Sequence, residues 1–416
     1  MAGAGEYPKE NGDVLYSLDF NNSMGRVITK TADYTVESSE AYNSVLSNKG
    51  ATETITFTLP AAAENMSFKI GRVEDYPIII TPDGADTIND VNGSFASGSG
   101  DDKVIELIAI ANNEWIGEKL ITNLYGRGLF GGGYTGSVSN VIDYVTIDAT
   151  GNATDFGDLT VARRLLASCS SSVRGLFGGG YETLNVIDYV TIASTGNATN
   201  FGDLTVARDR LAGCSSNTLG LFGGGDTGSE SDVMDYVTIA NTGNASDFGN
   251  LTVARNNIAS CSSTTRGLFG GGYDGGSKSN VIDSVTIANT GNATDFGDLT
   301  VSRNGVVGCS NSTRGLFGGG FAGSRVDVID YVTIASAGNA TDFGDVSADK
   351  NTLGACSSPD RGLFAGGHPW PEDPGPYLDV IEYVTIANTS NTTDFGDLTV
   401  ARDGLAGCSN SHGGLW

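Results

Sequence analysis

The sequence has few of the residues that catalytic and metal sites commonly use. Among 416 residues there are only two histidines, His368 and His412, too few for a histidine-rich metal site and a poor basis for a catalytic triad. Charged residues make up 17% of the chain, against a usual quarter. No apolar run approaches 18 residues, so no membrane span is expected. The first residues also lack the apolar stretch of a secretory signal.

Basic residues are scarce as well. Lysine and arginine total 23 against 49 acidic residues, which gives a formal net charge of -26. A chain this acidic repels phosphate backbones, so binding to nucleic acid is not expected. Hydrophobic residues at 39% are enough for a core, which argues against disorder. What is abundant is glycine, with 60 residues, roughly twice the average share.

The six cysteines recur at intervals of 45 to 52 residues. They are Cys169, Cys214, Cys261, Cys309, Cys356 and Cys408. One cysteine per interval indicates equivalent positions of a repeated unit, which the architecture itself holds apart. We therefore expect no disulfides among them, and a buried thiol used as a small apolar side chain in each unit.

The whole second part of the chain is a repeat. Each unit reads RGLFGGG, a variable loop, NVIDYVTI, a segment close to ASTGNATDFGDLTVAR, and a run of small residues. Its Gly-Leu-Phe tripeptide begins at Gly128, Gly175, Gly220, Gly267, Gly315 and Gly362. Six complete units follow one another, and a truncated copy ends the chain at Trp416. A period of this length indicates a repeat architecture.

Each unit contains four candidate strands. In the first unit they cover 127–133, 141–147, 153–159 and 164–172, separated by turn residues. The apolar spacing is two rather than 3.6, so helices are not expected. Four strands in about 47 residues, repeated six times, predict an all-β, six-bladed β-propeller. A β-solenoid is the structural alternative.

The ends of the repeat region are offset by one strand. It begins with a second strand at Arg127 and ends with a first strand at 403–410. We predict that the C-terminal strand pairs into the first blade and closes the ring, which covers the edges of an open array.

The repeat resembles the kelch family. The kelch-like features are Gly132-Gly133, Asp143-Tyr144, Phe156 and Arg163, and the resemblance covers 127–416. Phenylalanine replaces the family's fourth-strand tryptophan, and the order of tyrosine and aspartate is reversed. The resemblance implies the propeller fold and a binding platform rather than an enzyme, although a fold alone does not settle function.

Charged residues recur at fixed places in the repeat. An acid lies in the most apolar strand of each unit: Asp143, Asp188, Asp235, Asp283, Asp330 and Glu382. A base follows each DFGDLTVA-type segment: Arg163, Arg208, Arg255, Arg303, Lys350 and Arg402. A second arginine precedes Gly-Leu-Phe in every unit except the one with Leu219: Arg127, Arg174, Arg266, Arg314 and Arg361. Because a carboxylate in a packed sheet needs a partner, one ion pair per blade is favoured over a ring of catalytic carboxylates.

No catalytic or cofactor motif is present. GLFGGG lacks the lysine of a phosphate loop, and there is no nucleophile elbow or HExxH. The DxxD pattern of Asp155 and Asp158 lacks the ligand count of a calcium loop, so neither metal nor cofactor is expected.

The first 126 residues lack the repeat. We predict an attachment arm at 1–30, then a small β domain and linker at 31–126, with strands at 52–59, 67–73, 77–81 and 103–111. The run DYTVESSEAYNSVLSNKGATETITFTLPAAAENMSFKI, closed by NNEWIG, resembles a module of bacteriophage tail-fibre proteins. The strings GLFGGGY and NATDFGDLTVAR are similar to repeat proteins of marine and aquatic phages.

Three functions remain open. The resemblance implies a virion structural protein, such as a tail fibre, appendage or decoration component, made in the host cytoplasm. It would attach to other virion proteins through 1–126 as a homo-oligomer and present the propeller to a host glycan or protein. The alternatives are a bacterial carbohydrate- or protein-binding module and a glycan-cleaving enzyme. The last needs two carboxylates in one cleft, and no unit departs from the repeat to provide them.

The loops between the second and third strands are the variable part of the unit, and variation collects where packing does not decide. They carry aromatic residues that predict a recognition surface: Tyr134, Tyr181, Tyr273, Phe321, Trp370 and Tyr377. The alternative is that the first aromatic of each loop only caps its blade. Trp370 belongs to an insertion with four prolines and is the leading candidate.

Overall fold

In the computed structural model, all regular structure of the described residues is β-strand. The structure describes 126–369 and 377–412, and before them the strand segments between 27 and 118. The chain divides into two compact units, Met1–Leu124 and Tyr125–Trp416. In these described ranges, no helix is long and apolar enough to cross a membrane.

The first unit contains two sheets. One has the strand order Val27–Thr29, Val45–Ser47, Ser67–Gly71, Val104–Ala111, Glu114–Glu118 and Thr87–Ile88. The other has the order Tyr34–Thr35, Ile55–Thr58, Ile78–Thr81 and Phe95–Ala96. The chain alternates between the sheets over its first six strands, which pair in parallel within each sheet. Each of the four strands expected from the sequence here contains an observed strand, whereas most of the arm predicted at 1–30 lies outside the described residues.

The second unit is the predicted six-bladed β-propeller, with four antiparallel strands in each blade. The inner strands of blades 1 to 6 are Ala406–Ser409, Ala167–Ser170, Ala212–Ser215, Ala259–Ser262, Val307–Ser310 and Gly354–Ser357. The second strands are Arg127–Gly131, Arg174–Gly178, Leu219–Gly223, Arg266–Gly270, Arg314–Gly318 and Arg361–Ala365. The third strands are Val141–Thr146, Val186–Thr191, Val233–Thr238, Val281–Thr286, Val328–Thr333 and Val380–Thr385. The outer strands are Thr154–Asp158, Thr199–Asp203, Ser246–Asn250, Thr294–Asp298, Thr341–Asp345 and Thr393–Asp397. Lys350–Asn351 and His368–Pro369 form one additional short pair.

The C-terminal strand closes the ring, as the offset of the repeat predicts. Ala406–Ser409 pairs antiparallel with Arg127–Gly131, and the register places Cys408 opposite Leu129 and Ser409 opposite Gly128. The last inner strand therefore completes the first blade and leaves no open edge at the junction of the two chain ends.

The apolar core of the propeller lies between the blades. Each junction of neighbouring blades in the described ring holds one cluster of buried side chains, including the junction of blades 6 and 1. The Gly-Leu-Phe-Gly strand is shaped for this packing. A Cβ on Gly131 would lie 2.7 Å from the ring of Phe177 in the next blade, and one on Gly128 would lie 2.5 Å from Cys356 Sγ. Both glycines are therefore needed for close blade contact.

The six cysteines occupy equivalent buried positions and are unpaired. Each sulfur packs between blades, as Cys169 Sγ does against Gly220. Burial raises the pKa of Cys214, Cys309 and Cys408 to about 12. At neutral pH these thiols are protonated and unreactive, which fits the predicted use of cysteine as a small apolar side chain.

Two closed rings of hydrogen bonds surround the central channel. We call the face that carries the second-to-third and outer-to-inner connections the upper face, and the opposite one the lower face. Near the lower face each serine hydroxyl donates to the carbonyl of the equivalent serine in the preceding blade, at 2.5 to 2.8 Å. These residues, the serine ring, are Ser170, Ser215, Ser262, Ser310, Ser357 and Ser409.

The second ring consists of backbone groups at the upper mouth of the channel. Its members, the mouth ring, are Leu165, Arg210, Asn257, Gly305, Thr352 and Gly404, all with φ between 49° and 65°. Each N–H donates to the carbonyl of the preceding member at 2.7 to 3.2 Å. The left-handed conformation turns the backbone so that these bonds run around the channel. It also explains why the inner strand starts at Ala167 rather than at 164 as expected.

Candidate functional site

The recurring acids and bases form one buried ion pair at each blade. Arg163 lies 3.0 Å from Asp188 of the next blade, and both side chains are fully buried. Thr160 donates to the same carboxylate from its hydroxyl at 2.6 Å and from its backbone N–H at 3.2 Å. The equivalent pairs are Arg208–Asp235, Arg255–Asp283, Arg303–Asp330, Lys350–Glu382 and Arg402–Asp143. The last pair joins the C-terminal segment to blade 1.

These carboxylates hold the blades together and do not face a cleft. Burial lowers the pKa of Arg163, and Asp188 opposes that effect. Burial alone would raise the pKa of Glu382, but Lys350 and the hydroxyl of Thr392 keep it below its usual range. Because a buried carboxylate is stable only with such partners, each pair stabilises the fold as a unit rather than as two separable charges.

The second arginine, present in five of the six units, connects neighbouring blades near the lower face. Arg174 donates to the carbonyl of Ile239 in the next blade at 3.1 Å and stacks over Tyr189 at 4.7 Å. The same backbone bond is made by Arg127, Arg266, Arg314 and Arg361. Blade 3 has Leu219 instead, which packs against the apolar cluster between blades 3 and 4.

The GNATDFGD segments also connect blades. Asn197 accepts a hydrogen bond from the backbone N–H of Asp158 in the preceding blade at 3.1 Å, and Gly196 donates to the carbonyl of Phe156 at 2.7 Å. Among the residues placed by the structure, no three His, Cys, Asp or Glu side chains lie close enough to hold a metal ion. Asp155 and Asp158 thus belong to segments that join the outer strands of adjacent blades.

His412 lies in the channel beside the serine ring. Its Nδ1 is 3.1 Å from Ser170 Oγ and its Nε2 is 3.1 Å from Ser215 Oγ, and burial lowers its pKa. Both hydroxyls already donate to carbonyls of the ring. An activated nucleophile must give its proton to the base, so this contact with histidine packs the channel and does not prepare a serine for attack.

The upper face departs from six-fold repetition. Tyr134, Tyr181, Tyr273 and Phe321 occupy equivalent positions there, whereas blades 3 and 6 have Asp226 and His368 at this position. Trp370, the leading candidate from the sequence, lies outside the described residues. Tyr273 donates its hydroxyl to Gly275 of its own loop, whereas Phe321 of blade 5 packs under Lys278 from the loop of blade 4.

The structure brings Tyr134 and Tyr377 together across blades 6 and 1. The ring centroids of Tyr134 and Tyr377 are 5.6 Å apart in an edge-to-face arrangement, and His368 lies 5.6 Å from Tyr377. Asp403 lies beside this group, where burial raises its pKa and His368 opposes the effect. Residues nearly 250 positions apart in the sequence therefore share one surface because the ring closes between blades 6 and 1.

The residues that follow each buried base also contribute to this face, although no sequence motif marks them. Arg164 stacks against Tyr134 and Tyr181, and Arg210 pairs with Asp209 and Asp226 at 3.2 and 3.1 Å. An alignment of the six units contains the signal. The residue after the buried base is Arg, Asp, Asn, Asn, Asn or Asp, within an otherwise repeated segment.

The chain matches none of the protein-family models and none of the curated proteins with which it was compared. The second unit is a six-bladed β-propeller whose upper face departs from six-fold repetition.

Proposed function

We propose that this chain is a recognition protein that binds its target through the upper face of the propeller. The observation that supports this most directly is the mouth ring. Its backbone repeats six times, yet its side chains differ from blade to blade. Glycine is the cheapest residue in the left-handed conformation, but Leu165 and the β-branched Thr352 adopt it here. Strain that persists in such a place is typical of functional surfaces.

The setting we propose for this recognition is a bacteriophage virion. The N-terminal segment and the propeller strings resemble tail-fibre and appendage proteins, and the acidic, glycine-rich β-structure agrees with that setting. In this proposal residues 1–126 attach the chain to other virion proteins as a homo-oligomer, and the upper face contacts the host surface or a virion partner. A bacterial binding module would use the same face.

The test is binding of the fluorescently labelled full-length protein to a panel of intact bacterial cells. We expect selective binding to some strains. The double variant Tyr134→Ala/Tyr377→Ala removes the edge-to-face pair and should weaken that binding at least about 30-fold, as expected for paired aromatic anchors. Val173→Ala is the matched control, since Val173 is 58% exposed in a lower-face connection. Equal binding by the double variant and the wild type would contradict the assignment of the upper face.

A further inference from the structure

Arg164 is fixed between two tyrosines on the upper face. Its guanidinium carbon lies 4.3 Å from the ring centroid of Tyr134 and 4.6 Å from that of Tyr181. The two rings belong to adjacent blades, 1 and 2. Stacking on both sides holds the planar guanidinium in one orientation without neutralising its charge.

The Arg164 side chain has no hydrogen-bond or ion-pair partner among the described residues, and its buried Nε–H is unsatisfied. It is the only arginine in the described part of the chain for which this holds. Every other one donates to a carbonyl, a carboxylate or another side chain. The five positions equivalent to Arg164 carry no cation: Asp209, Asn256, Asn304, Asn351 and Asp403.

Tyr181 is held in place by a strained turn. The next two residues, Glu182 and Thr183, have φ of 71° and 52°, and the N–H of Leu184 donates to the carbonyl of Gly180 at 3.0 Å. Positive φ at a β-branched residue is strained and persists where the surroundings enforce it. This turn places a tyrosine that is 39% exposed beside the unpaired guanidinium.

We propose that Arg164 binds the carboxylate of an acidic saccharide, a uronic or sialic acid, whose sugar ring lies against Tyr181. With Nε buried, the terminal nitrogens are the edge left to a ligand, and they suit the two oxygens of a carboxylate. The exposed tyrosine ring suits the C–H face of a sugar. Asp209 and Asp403 lie within range of the Arg164 charge, which opposes the rise in their pKa caused by burial, so a ligand carboxylate competes with them for the guanidinium. The rest of the net charge of -26 is screened beyond about 8 Å at physiological salt.

The proposal rests on the proposed function and names the chemistry of its ligand. Isothermal titration of the full-length protein, at physiological salt, tests it with five probes. They are a uronic-acid trisaccharide, a sialylated trisaccharide, the neutral counterpart of each, and a glutamate-rich peptide. We expect at least one acidic trisaccharide to bind at least 10-fold more tightly than its neutral counterpart and than the peptide, and the two acidic probes distinguish the sources of the carboxylate.

Substitutions at two arginines that stack on tyrosine rings, one on each face, provide the comparison. Arg164→Gln should weaken binding of the acidic trisaccharide about 10- to 100-fold, the usual range for a charge-assisted hydrogen bond. Arg164→Lys should fall between that variant and the wild type, since lysine keeps the charge without the planar fork. Arg174→Gln is the matched control, because Arg174 also stacks over a tyrosine, but it lies near the lower face and already donates to the carbonyl of Ile239. Far-ultraviolet circular dichroism and melting curves confirm folding.

Four outcomes overturn the proposal: no binding of either acidic trisaccharide, equal binding of acidic and neutral forms, tighter Arg164-dependent binding of the peptide, or unchanged binding by Arg164→Gln. If cell binding still depends on Tyr134 and Tyr377, these outcomes remove the saccharide assignment and leave the proposed function in place. If neither substitution set affects cell binding, the proposed function fails as well.

Discussion

Deletion of residues 402–416 is expected to lower the melting temperature of the propeller by more than about 10 °C. The deletion removes the inner strand of blade 1 and the partner of the buried Asp143. An uncompensated buried charge alone costs about 3–5 kcal/mol, and each kcal/mol lowers the melting temperature of a domain of this size by roughly 2–4 °C. The loss of buried Leu405 and Cys408 adds to that cost. Differential scanning calorimetry of the full-length and truncated chains gives the comparison.

A transplanted strand is the matched control for that deletion. This variant keeps the deletion of residues 402–416 and carries a copy of residues 402–411 inserted between Tyr125 and Gly126. Asn410, Ser411 and Gly126 then form the turn that Ser171, Ser172 and Val173 form in blade 2. We expect this variant to recover most of the lost melting temperature, because the same strand pairs in the same place. A truncated chain that stays a soluble monomer with unchanged melting temperature would contradict closure by the C-terminal strand.

Asp188→Ala should destabilise the propeller by about 3–5 kcal/mol, because it leaves Arg163 buried without a counter-charge. The double variant Arg163→Met/Asp188→Leu should be much less destabilised than the sum of its single changes. Apolar side chains of similar size can replace a buried ion pair at little net cost. Denaturant titration of the two single variants and the double variant measures this coupling.

Asp155→Ala provides the reference for the ion-pair series, since Asp155 is exposed on an outer strand and should change stability by no more than about 0.5 kcal/mol. A single Asp188→Ala variant as stable as Asp155→Ala would show that the buried pairs do not hold the blades. Strict additivity of the two single changes would lead to the same conclusion.

The period and register of the repeat were enough to predict the architecture. Each blade is a local unit whose strands are close in sequence, so alternation within 141–147 and its turn residues define it. The adjacent residues Asp143 and Tyr144 face opposite sides of the blade, because side chains alternate along a strand. Asp143 faces the buried Arg402, whereas its neighbour Tyr144 faces Arg127 on the other side of the blade.

The surface could not be predicted in the same way, because its contacts join residues of different blades. The stacking of Arg164 requires Tyr134 and Tyr181 from two different units. The left-handed mouth ring depends on carbonyls of the preceding blade. The variation of the second-to-third loops predicted that the units differ on the upper face. It did not distinguish Tyr273, which contacts its own loop, from Tyr134, which meets Tyr377 across the closure.

Hydrogen exchange at Ala406–Ser409, followed by mass spectrometry on the full-length protein, tests closure of the ring without any substitution. This strand pairs with Arg127–Gly131 in the same antiparallel register in which the inner strand Ala212–Ser215 pairs with Leu219–Gly223 in blade 3. Amide protection reports local opening free energy, so the two segments should exchange at similar slow rates. Exchange of 406–409 within seconds, while 212–215 remains protected, would contradict a propeller closed by its C-terminal strand.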